Sequence, residues 1–174
     1  MFTLRCTQKL LRQGLSETAA ASAQSTTVLG DWYANVVVTR PSHLVVCVSE
    51  RTLLPVVVAA KEPKHLPQRV AHALVPLLQA LEIEPSAIER ELSSMQSWQV
   101  GRTASKSVVG SLNEFIFFLQ HSLRTHPERS LLEHSLYLAQ VPMKGAERSS
   151  PDRATSALFA SAAVLGRVRA RSAL

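Results

Sequence analysis

The chain has 174 residues, 46% hydrophobic and 18% charged, with a formal net charge of +6. That length is enough to bury one core and favours a single domain. Its longest apolar runs, Leu53 to Ala60 and Phe115 to Leu119, fall far short of the roughly 20 residues that a membrane helix needs, and two cysteines leave no disulfide framework and no thiolate metal site. The charge is uneven: residues 31 to 143 are balanced, and most of the excess lies after residue 143, in Lys144, Arg148, Arg153, Arg167, Arg169 and Arg171. A basic end of this kind reads first as a solvated terminus and second as a contact for nucleic acid.

In chain order, Phe2 to Cys6 alternates apolar and polar side chains as a half-buried strand does, and Gln8 to Gln13 reads as a short helix stopped by Gly14. Leu15 to Thr27 is rich in alanine, serine and threonine and reads as a flexible linker within the domain. Met1 to Thr27 holds no apolar run of secretory length, so a cytoplasmic location is expected. Trp32 to Thr39 and Leu44 to Ser49 form a predicted hairpin about Pro41, and Leu54 to Ala59 a third strand whose Pro55 suits an edge or a bulge. Short connections make these neighbours antiparallel. The run Val36-Val37-Val38 predicts a strand covered on both faces.

From Pro67 to Leu81 the apolar residues recur at helical spacing, with Pro76 expected to kink or divide the helix. The pairs Ser86 with Glu89, Ser111 with Glu114 and Ser130 with Glu133 have capping-box spacing and predict three helix starts. Trp98 to Val100 reads as a fourth strand closed by Gly101, and Ala154 to Val168 as a further helix. The resulting expectation is an α+β domain over residues 1–143, an antiparallel sheet of three to five strands covered by three to five helices, followed by a basic tail or extra helix over 144–174.

The chemistry-bearing residues form no complete motif. Gly101 to Ser107 lies where a phosphate loop would, but Ser105 stands where the glycine before Lys106-Ser107 is needed. Weaker anion binding by Arg102 and Lys106 stays open beside surface contacts. His121, His126 and His134 match no metal-ligand spacing, and no metal or cofactor is expected. Ser111 lacks the second glycine of a nucleophile elbow, and Cys47 lies mid-strand, where an inert thiol is expected. Asn35, close to Trp32 and Tyr33, is unusual within a strand and demands hydrogen-bond partners, structural or ligand.

Three stretches carry a resemblance: Leu4 to Leu11, Trp32-Tyr33-Ala34-Asn35 and Ser107-Val108-Val109-Gly110-Ser111-Leu112-Asn113. Together, in order over roughly residues 1 to 142, the chain resembles an uncharacterised bacterial family known only as a domain of unknown function, with W-x-A-N and S-V-x-G-S-x-N motifs before a helix. The resemblance implies the architecture and no activity. Candidate ligand or anion residues are therefore Trp32, Asn35, Arg102, Lys106, Ser107 and Asn113, with no catalytic assignment. The leading functional expectation is a non-enzymatic module that binds or regulates a protein partner. The alternative is a nucleic-acid or phosphate binder using Arg102, Lys106 and the arginine tail, and no membrane contact is expected.

Overall fold

A computed structural model describes residues 1–18, 24–143 and 149–172, those after 165 by backbone alone. The elements are β1 (Phe2–Cys6), α1 (Gln8–Leu11), β2 (Trp32–Val37), β3 (Leu44–Ser49), β4 (Pro55–Ala59), a short 3-10 turn (Pro63–His65), α2 (Leu66–Ala80), α3 (Pro85–Met95), β5 (Trp98–Arg102), α4 (Lys106–Thr125), α5 (Leu131–Ala139) and α6 (Pro151–Ser172). The five strands lie in the order β4-β3-β2-β1-β5. Among the described residues, no helix is long and apolar enough to cross a membrane.

Alternation along the strands sends side chains to two covered faces. On one face Phe2, Leu4, Trp32, Val36, Val45 and Val56 meet Val70, Leu74, Leu77 and Leu78 of α2 and Ile88 of α3. On the other, Tyr33, Val37, Val46, Val48 and Val57 lie under Val108, Leu112, Phe115 and Leu119 of α4. Each fully buried side chain of this size contributes about 1.5–3 kcal/mol of transfer free energy, which explains why the valine strands need helices above and below. Val36 and Val37 are buried, as their composition predicts, whereas Val38 is 58% exposed where the strand has ended.

Helix α5 straddles the β4 edge. Ala139 packs into the first layer and Leu138 into the second, while the Val57 amide, central in β4, donates to Ser135 Oγ at 2.9 Å. At the opposite edge, the Val100 amide of β5 donates to Thr18 Oγ1 at 2.9 Å, and the Thr18 amide donates to the Val100 carbonyl at 2.9 Å. Exposed strand edges are sites of unwanted pairing, and both of these are occupied. Helix α6 is fastened by Phe159 in the first layer and by Thr155 Oγ1, which donates to Thr52 Oγ1 at 2.9 Å.

Several expectations need correction. The sheet is mixed: β2, β3 and β4 pair antiparallel, but β1 pairs parallel with β2 and with β5. Hydrophobic period assigns a strand its face and says nothing of its partner or direction. Six helices, rather than three to five, occur among the described residues. Only Ser130 with Glu133 makes the capping box, with Ser130 Oγ accepting from the Glu133 amide at 3.2 Å and the Ser130 amide donating to Glu133 Oε2 at 2.7 Å. Helix α3 instead begins with Pro85 in its first turn, so Ser86 lies inside it. Helix α4 is capped by Ser105, and Ser111 is buried in its second turn. Helix α2 runs unbroken through Pro76, which leaves the His72 carbonyl without its usual amide. The Leu15 to Thr27 stretch is held at its described ends: Leu15 is buried, Thr18 lies on β5, and the Thr26 amide donates to the Met1 carbonyl at 2.9 Å. Residues 19–23 of that stretch, and Lys144 and Arg148 of the tail, lie outside the described residues.

Candidate functional site

The two parallel neighbours β1 and β5 send the chain to opposite faces. After β1, α1 turns to the first layer, where Leu10 packs with Trp32 and Leu66. After β5, α4 crosses the second layer. Where adjacent parallel strands part in this way, a crevice opens beyond their carboxyl ends, the usual ligand position in open sheets with parallel strands. Such a crevice is present here, about 390 Å³ in volume and lined by Cys6, Gln8, Leu11, Arg12, Glu17, Arg102 and Thr103.

Its walls are held by a polar network between β1, β2 and β5. Arg5 Nε and Nη2 donate to Asp31 Oδ2 at 2.9 and 2.8 Å, and the Thr3 amide donates to Asp31 Oδ1 at 2.9 Å. Asp31 is buried and Arg5 three-quarters buried, so removing either partner strands a charge. Arg5 Nη1 also reaches the Arg102 carbonyl at 3.4 Å, which ties the end of β5 to β1. Thr7 Oγ1 donates to Asn35 Oδ1 at 2.7 Å and the Thr7 amide to the Ala34 carbonyl at 3.0 Å. Asn35 therefore fixes the end of β1 to β2, which answers its demand for a partner.

Charge and protonation decide what the crevice can do. Arg102 Nε lies 2.7 Å from Glu17 Oε1 in an exposed ion pair, whereas Arg12 has no ion-pair partner among the described residues. Burial pushes the Cys6 thiol up to about 12, so it remains protonated at neutral pH and is a poor nucleophile. Cys47, fully enclosed, is also raised well above the ordinary thiol value, by burial first and by Cys6 second. Tyr33 is buried, and its phenol is raised by burial and by Glu50. Its oxygen accepts the Ser105 amide at 3.2 Å. Ser105 Oγ in turn accepts the Val108 amide at 3.3 Å. The Ser105 amide is thus spent on Tyr33 and the Ser105 hydroxyl on capping α4, which removes part of the resemblance of the Gly101 to Ser107 stretch to a phosphate loop.

Of the sequence-derived candidates, Arg102 alone lines the crevice. Asn35 stands next to it through Thr7, and Lys106 and Ser107 are exposed on the first turn of α4. Trp32 lies on the opposite side of β2 from Tyr33 and Asn35, wholly buried in the first layer with Nε1 unpartnered. Asn113 is exposed on α4. These residues do not form one site. Sequence reasoning missed Gln8, Arg12 and Glu17, because the crevice depends on a parallel pairing between β1 and β5, which have β2 to β4 and α1 to α3 between them in the chain. It also missed Glu91, whose buried carboxylate accepts the Val28 and Leu29 amides at 2.6 and 3.1 Å. Burial raises this carboxyl and the two amides oppose the rise.

His121 is exposed, and His126 Nδ1 lies 3.2 Å from Glu128 on the surface. His134 is buried, with Nδ1 3.0 Å from Ser122 Oγ. Among the described residues no group of three side chains is arranged to hold a metal ion.

No curated protein matches the chain. A family model described as a domain of unknown function (DUF6933) matches residues 3–154, from the second residue of β1 into the first turn of α6, and the chain belongs to that family.

Proposed function

We propose that the chain is a non-enzymatic binding module and that the crevice between β1 and β5 takes a small ligand by an anionic group, phosphate or carboxylate. The observation carrying this reading is the divergence of α1 and α4 from adjacent parallel strands, with Arg12 and Arg102 on the lining. A planar guanidinium matches either anion with two parallel hydrogen bonds. Glu17 supports the choice of charge: its carboxylate already sits on Arg102, in the position an incoming anion would take. With the Cys6 thiol protonated, the lining favours holding a ligand over transferring a group.

Calorimetric titration with inorganic pyrophosphate tests the reading. Binding is expected to weaken by about tenfold in Arg12→Ala/Arg102→Ala, in line with the loss of charge-assisted hydrogen bonds. Pyrophosphate that binds both proteins equally, or neither, overturns it. A labelled single-stranded DNA that binds both proteins equally, with steep salt dependence, transfers the assignment to the arginine tail.

A further inference from the structure

A second surface lies between the β2–β3 turn and the corner where α4 passes to α5. It is an open groove of about 760 Å³. Its floor is apolar: Leu44 is buried but faces it, Leu123 and Leu131 are half-buried, and Pro127 also lines it. Its rim carries Arg40 from the turn and Arg124 from α4, both exposed, and no acidic residue lines it.

Among the arginines whose side chains are described, five are held by the fold and these two are not. Arg5 and Arg102 are in ion pairs, and Arg51, Arg69 and Arg129 donate to Val28, Glu62 and Ser122. Arg40 and Arg124 have no side-chain hydrogen bond and no ion pair among the described residues. Beyond the groove's lining, α4 exposes a further apolar residue. Phe117, 66% exposed, lies seven residues before Arg124 on the same side of the helix, and Gln120 between them lines the groove. Two turns of α4, roughly 10 Å, thus present an apolar residue and a cation in line.

We infer that this groove docks an acidic peptide segment of a partner protein, with large apolar side chains on the leucine floor and carboxylates on Arg40 and Arg124. The choice of partner follows from complementarity. A small ion would leave the leucines uncovered, and a neutral apolar segment would put two guanidiniums beside a dry interface with no counter-charge. The line of Phe117, Gln120 and Arg124 along α4 suits a segment with anchors at regular spacing. This site is independent of the crevice, since it shares no lining residue with it.

Fluorescence anisotropy with a labelled peptide of about 12 residues, alternating leucine and glutamate, provides the test. The peptide is expected to bind, to lose about tenfold in affinity to Arg40→Glu/Arg124→Glu, and to be unaffected by Arg12→Ala/Arg102→Ala. The same peptide with lysine for glutamate is expected not to bind. Both arginines are exposed, so the fold should tolerate reversal. Arg40→Gln/Arg124→Gln, checked by circular dichroism, repeats the measurement if it does not. Absence of binding overturns the inference, as does equal binding of the lysine peptide or an unchanged affinity in the double variant. Displacement of the peptide by equimolar decanoate reassigns the groove to an amphipathic small molecule. Self-association in sedimentation that Arg124→Glu abolishes reassigns it to a second copy of the chain.

Discussion

Strands β2, β3 and β4 pair antiparallel through connections of a few residues, and both of their faces are lined with valine, alanine, cysteine and aromatic side chains. Strands β1 and β5 join them in parallel, and they keep an apolar lining on one face only: Phe2, Leu4, Cys6 and Val100 face the first layer, while Thr3, Arg5 and Gln99 face the other way, with Gln99 Nε2 donating to Thr3 Oγ1 at 2.9 Å. One half of the sheet is therefore built to be covered. The other half spends part of its surface on hydrogen bonds and opens at its carboxyl ends. Stability and binding should accordingly separate along this line.

The largest expected effect is on the covered half. Phe115→Ala removes a fully buried ring from the layer over β2 and β3 and should cost about 3–5 kcal/mol in urea unfolding, with pyrophosphate affinity of the folded protein unchanged. A parallel loss of affinity would mean that the two halves are coupled. An intermediate effect follows from pH. Burial first and Arg129 second hold His134 below the ordinary histidine value of 6.5, against Glu133 and Glu128. The folded protein thus takes up this proton less readily than the unfolded chain does. Its contribution to stability is full above pH 6.5 and falls as the pH drops below that value. Thermal melts between neutral and mildly acid pH should show this drop in the wild type and a smaller one in His134→Gln. The smallest effect belongs to the open half: Glu17→Gln should raise pyrophosphate affinity a few-fold by freeing Arg102, and should change stability by no more than about 0.5 kcal/mol, as expected of an exposed pair. Unchanged affinity would remove Glu17 from the site.

The same division governs what the sequence reveals. The antiparallel half is local, so the β-branched runs and Pro41 are enough to outline its hairpin, and Pro55 correctly marks an edge strand. The parallel half depends on partners brought together from Leu4, Trp32 and Val100, and no local period encodes that meeting. Helix starts show a second limit. The Ser-x-x-Glu spacing occurs three times but caps one helix, because Ser111 is buried inside α4, where it cannot be a terminus. A better signal was available: Val108, Leu112, Phe115 and Leu119 already form one helical stripe, which places the start of α4 before Val108. Of the crevice lining, the sequence singles out Arg102 alone, and the partner that Asn35 demands is Thr7. Arg12 and Glu17 became meaningful only once α1 and the Thr18 strand contact were placed beside β5.

The hydroxyls of Ser135 and Thr18 each take the central amide of an outermost strand. A neighbouring chain therefore finds no continuous ladder to extend at either side of this sheet. Fibril-like stacking and strand exchange are disfavoured at the backbone level, even with so much valine in the interior. Any lasting association has to be written in side chains, where single substitutions can strengthen, redirect or abolish it without disturbing the sheet beneath.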